Sequence, residues 1–426
     1  MRVKLYSFIL LLNSYITGLL VPVLSLLLID KGATLSGLSA VIGVYSFTVI
    51  VSELPSGIMA DLIGRKKTFC LSLVISLIFS VVILLGNGVV ALYLGMFIYG
   101  LNRAISSGSF EALFIDSYIN EFGKDKLHAV TTRINVIDAL GLSAGALTGG
   151  YLPEISSIYF SSIGTYDLSL IVRIILTIIV LIFAMVYIKE TAVYENKKQV
   201  TLIEHIKSSS NIVIENKNII CIFISVFSTG FLFSSLETYW QPHFISLMPD
   251  NSAMFLLGII AFMYFAAAMA GNLLYSRIFS KHNPKSIYLL LRSILAVVLI
   301  ITALQTNMIL FIIFYTLIYL IFGMANIPES VILNGEIPNE SRASVLSLNS
   351  LISQVGMLSG SFINSAIINH TTISGLWLIA ACVIIATIFI IHKKLMSPQT
   401  KSEATLSEEI NQTENEAILS EEINQY

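Results

Sequence analysis

Long apolar blocks separated by short polar turns fill almost the whole chain. A helix needs about 20 mostly apolar residues to cross the hydrocarbon core of a bilayer, and the blocks are of that length. The pattern predicts an all-α integral membrane protein with twelve transmembrane helices. The first block is counted as a span because no small-residue cleavage site follows it. The predicted spans are residues 6–28, 37–60, 68–87, 90–119, 129–152, 168–188, 219–245, 253–276, 286–304, 308–335, 343–368 and 373–392.

The longest internal polar stretch divides these spans into two sets of six. We predict an N-terminal six-helix bundle at 1–188, a cytoplasmic linker at 189–217 and a C-terminal six-helix bundle at 218–395. An acidic, disordered tail at 396–426 carries the sequence LSEEINQ twice. Weak internal matches favour a repeat with pseudo-two-fold symmetry. The matched pairs are Gly57 with Gly271, Glu111 with Glu329, Asp116 with Asn334, and Arg133 with Arg342.

Basic residues mark one side of the predicted bundle. Nearly every Lys and Arg lies in alternate loops or near a chain end, whereas the remaining loops hold only Lys31. Basic loops stay on the cytoplasmic side of a membrane, so we expect both termini in the cytoplasm, in a bacterial plasma membrane. The basic loops are 61–67, 120–128, 189–217, 277–285 and 336–342.

The composition excludes several partners. The chain is 56% hydrophobic and 12% charged, about half the charge of a soluble protein. A net charge of −2 argues against a nucleic-acid partner. The sequence contains no G-x-x-x-x-G-K-[ST] loop for a nucleotide and no His, Cys and Glu set with metal-ligand spacing. We therefore expect no cofactor and no metal, with the bilayer, a small molecule and protons as the partners.

Three polar motifs interrupt the apolar pattern. GIMADLIGRKK lies between the second and third spans, RAISSGSFEA lies in the fourth, and GLSAGALTGG lies in the fifth. They resemble motifs A, B and C of the major facilitator superfamily, although Ala146 stands where motif C has proline. The resemblance covers residues 1–395 and extends to the drug/proton antiporter-like branch. It implies two bundles that rock around a central binding site.

Motif A implies a gate on the cytoplasmic side. Gly57 and Gly64 allow close approach of backbones. Asp61 can face the positive end of a neighbouring helix, which in the family is the eleventh span. Arg65 can then pair with Asp116. The alternative for the basic residues is the general preference of Lys and Arg for cytoplasmic loops.

Charges deep in a membrane are costly and indicate function. Arg103 and Asp138 lie roughly 18 and 13 Å inside their spans, so we predict that they pair and that protonation of Asp138 releases Arg103. The alternative is a static ion pair. Glu111 is either a proton relay or a structural partner, and the same choice holds for Glu53 beside motif A. Arg173 lies close enough to the outer surface to snorkel, and we assign it no function.

The predicted substrate cavity combines an acid, aromatic rings and amides. Glu237 stands beside Tyr239 and Trp240, a combination that suits an amphipathic or cationic substrate. The alternative for the two aromatic residues is anchoring at the membrane interface. In the family the first, fourth, seventh and tenth spans surround the cavity, which places Asn13 and Asn326 there. Hydrogen bonding between helices is the alternative for both asparagines.

The small residues of motif C predict close helix packing. Gly141, Gly145, Gly149 and Gly150 lie in one span and are expected to pack against the eighth span, where the two bundles meet. This packing is also the role that the resemblance implies.

These features favour a secondary transporter and argue against an enzyme. The leading hypothesis is proton-coupled efflux of a small amphipathic drug or natural product. The first alternative is uptake or facilitated diffusion of a nutrient such as a sugar or an organic acid. A receptor, an intramembrane enzyme and an open channel are more distant alternatives. A saturable, proton-dependent flux would separate a transporter from a channel.

Overall fold

The computed structural model describes residues 2–107, 109–123, 127–160, 162–189, 216–248, 254–337 and 342–396. Nearly all of the predicted linker and the predicted tail lie outside these ranges. The described residues form fourteen α-helices and one 3₁₀ turn at Ile368–His370. The helices are α1 (Arg2–Gly18), α2 (Leu24–Asp30), α3 (Leu35–Ile63), α4 (Arg65–Leu85), α5 (Val89–Ser106), α6 (Phe110–Phe122), α7 (Leu127–Tyr159), α8 (Asp167–Tyr187), α9 (Lys217–Leu247), α10 (Phe255–Ile278), α11 (Pro284–Ala303), α12 (Met308–Gly335), α13 (Arg342–Ile367) and α14 (Ile373–Leu395).

The predicted all-α architecture of membrane spans is confirmed. Within the described part of the chain, 10 helical segments are long and apolar enough to cross a membrane. These segments are α5 together with α6, and α3, α4, α8 and each helix from α9 to α14 taken singly. The predicted first span corresponds to α1 with α2, and the predicted fifth span corresponds to α7. Most helix ends lie within about four residues of the prediction, which is close to the usual uncertainty of such boundaries.

Three spans differ from their predicted form. The first is interrupted by a turn at residues 19–23, between α1 and α2. The fourth is broken between α5 and α6, where Ser109 Oγ donates a hydrogen bond to Ser106 O at 2.9 Å. Serine side chains compete in this way with the helical hydrogen bonds of the backbone. The fifth span continues past its predicted end to Tyr159, through Pro153.

Side-chain caps fix several helix starts. The Thr34 hydroxyl accepts a hydrogen bond from Gly37 N at 3.0 Å, and the Asn283 side chain accepts one from Lys285 N at 2.9 Å ahead of α11. Thr372 caps α14 in the same way, with Gly375 N as the donor. Such caps satisfy backbone donors that a helix leaves unpaired at its first turn.

The same close helix contacts recur in both halves of the chain. In the first half, Gly145 of α7 lies against Tyr15 of α1; a Cβ at this glycine would come 2.1 Å from the Tyr15 carbonyl oxygen. In the second half, Gly356 of α13 lies against Phe227 of α9 at the same spacing. The recurrence agrees with the predicted pseudo-two-fold repeat. Contacts of α3 with α13 and of α7 with α10 join the two halves.

Candidate functional site

The helix ends fall on two faces that polar contacts identify. On one face, Lys66 at the start of α4 donates a hydrogen bond to Met185 O near the end of α8 at 2.9 Å. On the other, Lys31 pairs with Asp167 at 2.8 Å and donates to Leu84 O at 3.2 Å. We call the first the basic face, because the predicted basic loops adjoin it, and the second the opposite face.

At the opposite face, α9 is bonded to the first half of the chain. The Tyr239 hydroxyl donates to Leu35 O at 2.9 Å and shares a hydrogen bond with the Ser39 hydroxyl at 2.7 Å. Gln241 Nε2 donates to Val21 O at 3.0 Å. Tyr239 is fully buried. Its predicted place in the cavity therefore differs from its position in the structure, where it joins the two halves.

A second set of bonds joins α3 to α13 at the same face. Ser36 Oγ donates to Ser365 O at 2.6 Å, and Ser365 Oγ donates to Ser36 O at 3.0 Å. These contacts close the opposite face between the two halves. We call the group the Tyr239 latch, which consists of Ser36, Ser39, Tyr239, Gln241 and Ser365.

At the basic face, the described residues of α3 and α13 form no hydrogen bond like those that join the same two helices in the Tyr239 latch. Leu62 near the end of α3 is 59% exposed, and Leu346 near the start of α13 is 39% exposed. A Cβ placed on Gly57 would meet nothing within 4 Å among the described residues. The close backbone approach predicted at Gly57 is therefore not formed with any of these residues.

The motif A residues at this face form a turn and an ion pair. Gly64 has a φ of 98°, which favours glycine, and it ends α3 and precedes α4. Its role here is the turn rather than close packing. Arg65 at the start of α4 pairs with Asp116 on α6. The side chain of Asp61 lies outside the described residues, and its predicted role in a gate stays a prediction.

The predicted ion pair between Arg103 and Asp138 is not formed. Asp138 instead accepts a hydrogen bond from Ser14 Oγ on α1 at 2.6 Å. The cause is helix packing: Asp138 lies three and seven residues before Gly141 and Gly145, which places all three on one face of α7. That face packs against α1. The carboxylate is therefore directed toward α1 rather than toward Arg103.

The glycines of motif C pack mainly against α1, and not against the eighth span as predicted. A Cβ at Gly141 would come 2.7 Å from Leu11 O, and one at Gly149 would come 2.1 Å from Leu19 O. Gly150 alone among the four predicted residues faces α10, where its Cβ would come 2.3 Å from Gly258 N. The motif therefore serves one interface within the first half and one between the halves.

Arg103 lies in the last turn of α5, and its side chain is exposed. Its guanidinium lies beside the Tyr45 side chain on α3. Glu53 and Glu111 both lie near Arg103, and Asp138 lies near Glu111. The structure therefore brings Glu111 close to both Arg103 and Asp138, although it does not pair Arg103 with Asp138.

Glu237 faces an internal space in the second half. The ten residues around it in the range 231–241 are all buried, whereas the Glu237 side chain is exposed. Trp240 is only 1% exposed and packs on Tyr315 with ring centroids 5.4 Å apart. Tyr319 in turn stacks on Tyr264 at 4.3 Å. Of the predicted group of Glu237, Tyr239 and Trp240, the acid therefore faces this internal space. Trp240 packs behind it against Tyr315 of α12.

The predicted amides are half-buried. Asn13 lies on α1 next to Ser14, and Asn326 lies on α12. On α13, the side-chain oxygens of Asn349 and Gln354 are buried without a hydrogen-bond partner among the described residues. These oxygens are unused acceptors between the spans.

Comparisons with known proteins define the family. The model of the Major Facilitator Superfamily matches residues 6–249 and 220–419. The chain belongs to the major facilitator superfamily. It is 26% identical over 231 residues to an uncharacterized MFS-type transporter, YxaM of Bacillus subtilis (strain 168). This match covers 53% of the chain and 54% of YxaM, so the chain spans about half the length of that curated relative.

Solved structures of the superfamily share the fold. A mutant of the nucleoside transporter NupG has a TM-score of 0.77 and 15% identity, and the match covers 92% of this chain and 100% of that one. A bacterial homolog of the human lysosomal transporter Spinster, in an inward-facing and unoccupied conformation, has a TM-score of 0.68 and 12% identity. That match covers 92% of this chain and 94% of the homolog.

In this superfamily member, Arg173 is buried rather than snorkelling. It is 2% exposed, and its guanidinium donates to Ile16 O at 2.7 Å and to Ser76 Oγ at 3.0 Å. It also lies over the ring of Phe79, 5.7 Å from the centroid. The prediction from distance to the surface was wrong because carbonyl, hydroxyl and ring partners from other spans satisfy the charge inside the bundle.

A second buried arginine was not predicted from the sequence. Arg292 on α11 is 2% exposed and donates hydrogen bonds to the hydroxyls of Ser228 and Thr229 on α9. Beside it, the Tyr288 hydroxyl donates to Glu329 on α12 at 2.7 Å. The signal was present, because Arg292 lies within an apolar block just as Arg103 does.

Proposed function

We propose that the chain is a secondary transporter that works by alternating access. The observation that carries this proposal is the Glu237 side chain, which is exposed among buried neighbours on α9, together with the unequal contacts at the two faces. The Tyr239 latch joins the two halves at the opposite face, whereas the described residues of α3 and α13 form no such bond at the basic face. An alternating-access transporter exposes one site to each side of the membrane in turn. A state in which the halves are joined at one face and not at the other is one of the two states that this cycle requires. Membership of the superfamily supports transport rather than an enzyme reaction.

The basic face is assigned to the cytoplasm. Lys and Arg accumulate in cytoplasmic loops, so both termini lie inside and the cavity opens inward. We place the protein in a plasma membrane on the same grounds. Closing of the basic face would then bring α3 and α13 together around Gly57 and Asp61, while the latch releases.

Proton-coupled efflux of a small amphipathic compound is the proposed direction and coupling. Glu237 beside an aromatic wall suits an amphipathic molecule with a cationic group. Glu111 and Asp138 near Arg103 supply carboxyls that can carry a proton. Protonation of Asp138 would alter its bond to Ser14, and Asn13 on the same helix lies beside that bond. The resemblance to motif C of exporters supports the direction.

Nutrient uptake is the second candidate, and Arg103 favours it. An exposed guanidinium in the cavity suits an organic acid. The substrate would then enter together with a proton, or by facilitated diffusion without one. Either mode would replace the exchange of substrate for a proton. The direction of proton movement separates these candidates.

The test is proton flux in liposomes. Purified protein is reconstituted with a pH-sensitive dye inside, a proton gradient is imposed, and amphipathic compounds, sugars and organic acids are added in turn. We expect an amphipathic compound to move protons through wild type and the Asp138→Asn variant to lose at least about tenfold of that flux. The exposed Asp30 at the opposite face gives a matched control, Asp30→Asn, which should behave as wild type.

The outcomes separate the alternatives. Proton-linked flux that persists in Asp138→Asn at the wild-type rate would assign coupling to Glu111 or Glu53. Saturable movement of a sugar or organic acid without protons would favour facilitated diffusion. Flux that does not saturate would indicate a channel and contradict alternating access.

A further inference from the structure

Two opposite charges from different halves of the chain face the cavity without pairing. Glu237 on α9 and Arg103 on α5 are both exposed. Among the described residues, the ion pairs are Lys31 with Asp167 and Arg65 with Asp116, so neither cavity charge is neutralised by one. An unpaired charge facing a pocket between apolar helices costs free energy unless water or a ligand compensates it.

Tyr45 connects the two charges. It lies on α3 beside Arg103 and in the neighbourhood of Glu237, and Ser39, six residues earlier on α3, bonds Tyr239, which is two residues after Glu237 on α9. Close packing fixes this arrangement, because a Cβ at Gly100 would come 2.8 Å from Tyr45 O, which presses α5 against α3. The ring of Tyr45 packs on Tyr99 with centroids 5.2 Å apart. The guanidinium and the carboxylate therefore border one space, with aromatic rings beside it.

The second half supplies an apolar wall next to Glu237. Tyr264, Tyr315 and Tyr319 all lie near Glu237. Tyr315 and Tyr319 lie one helical turn apart on α12, with ring centroids 5.4 Å apart. Their rings present a surface on which a flat or apolar group can pack.

We infer that the cavity binds a zwitterion, an amphipathic compound that carries both a cationic amine and a carboxylate on an apolar body. The amine meets Glu237, the carboxylate meets Arg103, and the apolar body packs on the tyrosines. A singly charged ligand would leave one of the two protein charges unpaired, a neutral ligand would leave both unpaired, and each unpaired charge would lose water on binding. This inference rests on the proposed transport function and names its substrate class.

Acidic residues near Arg103 can couple binding of such a substrate to binding of a proton. Glu53 and Glu111 lie near the guanidinium and compete with a substrate carboxylate for it. A proton on either acid removes a competitor, so proton binding and carboxylate binding favour each other at this end of the cavity.

The experiment measures binding of matched probes to the purified full chain in lipid nanodiscs. There are two sets of four probes. One set is built on tryptophan, and the other is built on the dipeptide of two phenylalanines. Each set contains the free zwitterion, the cationic C-terminal amide, the anionic N-acetyl form, and the neutral form with both changes. We expect the zwitterion of a set to bind wild type at least about tenfold more tightly than its other members.

Charge-removing variants identify the group that each end of the probe meets. Arg103→Gln should make the amide bind as tightly as the zwitterion, and Glu237→Gln should do the same for the N-acetyl form. Asp30→Asn should leave all four affinities unchanged. A variant that merely perturbs the fold would weaken all four forms by the same factor, and that result in both variants would overturn the inference.

The remaining outcomes distinguish this inference from the proposed function. If the amide or the N-acetyl form binds wild type as tightly as the zwitterion, the substrate class is wrong and transport stands. The same conclusion follows if no zwitterion binds while the liposome assay finds a singly charged or neutral substrate. If no probe binds and no compound is carried in liposomes, the inference and the proposed function both fall.

Discussion

Transport should stop completely when the Tyr239 latch is locked by a disulfide. Ser36 Oγ and Ser365 Oγ are 3.3 Å apart across the two halves. Because the sulfur atoms of cysteines at these positions would replace the two Oγ atoms, the double variant Ser36→Cys with Ser365→Cys brings two thiols together in the closed latch, where a disulfide joins sulfurs about 2 Å apart. Alternating access requires this contact to break once in each cycle. Oxidation should therefore abolish flux in liposomes, and a reductant should restore it.

The native cysteines are replaced first, so that the new pair is the one disulfide possible. These are Cys70, Cys221 and Cys382, each changed to alanine. Either single variant, Ser36→Cys or Ser365→Cys, should transport equally before and after oxidation. Wild-type flux through fully cross-linked protein would show that the latch need not open.

The second large effect is loss of folding when Gly145 gains a side chain. In Gly145→Ala, the new Cβ would come 2.1 Å from the Tyr15 carbonyl oxygen on α1. The obstacle is backbone, so no rotamer change can relieve it, and α1 must move away from α7. Overpacking of this kind costs about 3 kcal/mol. We expect a lower thermal midpoint and a smaller monodisperse peak on size-exclusion chromatography.

Gly57→Ala is the matched control, since a Cβ there would meet nothing within 4 Å in the part of the chain that the structure describes. Both changes add one methyl group to a helical glycine, and alanine favours helix over glycine by about 1 kcal/mol. Gly57→Ala should therefore be as stable as wild type or more so. Equal stability of the two variants would contradict the packing of α7 on α1.

The spans could be predicted from the sequence because every membrane-crossing helix has the same simple pattern of apolar and polar residues. Each span needs an apolar block of fixed length, and each turn needs polar or glycine residues, so the helices from α8 to α14 match closely. The break between α5 and α6 was not predicted, because serine competes with the helical backbone only in some contexts. The extension of α7 through Pro153 was missed, since a proline can remain in a spanning helix when neighbours compensate.

Side-chain partners were harder to predict than spans. Arg103 and Asp138 have similar depths, and depth alone favoured a pair. The direction of Asp138 depends on the packing of α7 against α1, which a single sequence does not specify. The same limit explains Arg173, whose partners come from α1 and α4. Glu237 was identified from its aromatic neighbours, although Tyr239 proved to belong to the latch.

Distances across the two faces during turnover test the central claim most directly. Spin labels on Ser36→Cys with Ser365→Cys report the opposite face, and labels on Leu62→Cys with Leu346→Cys report the basic face, where both leucines are exposed. Alternating access predicts reciprocal change: with a carried compound and a proton gradient, a population appears in which the first distance is longer and the second is shorter. Distances that both stay fixed, or that lengthen together, would contradict alternating access.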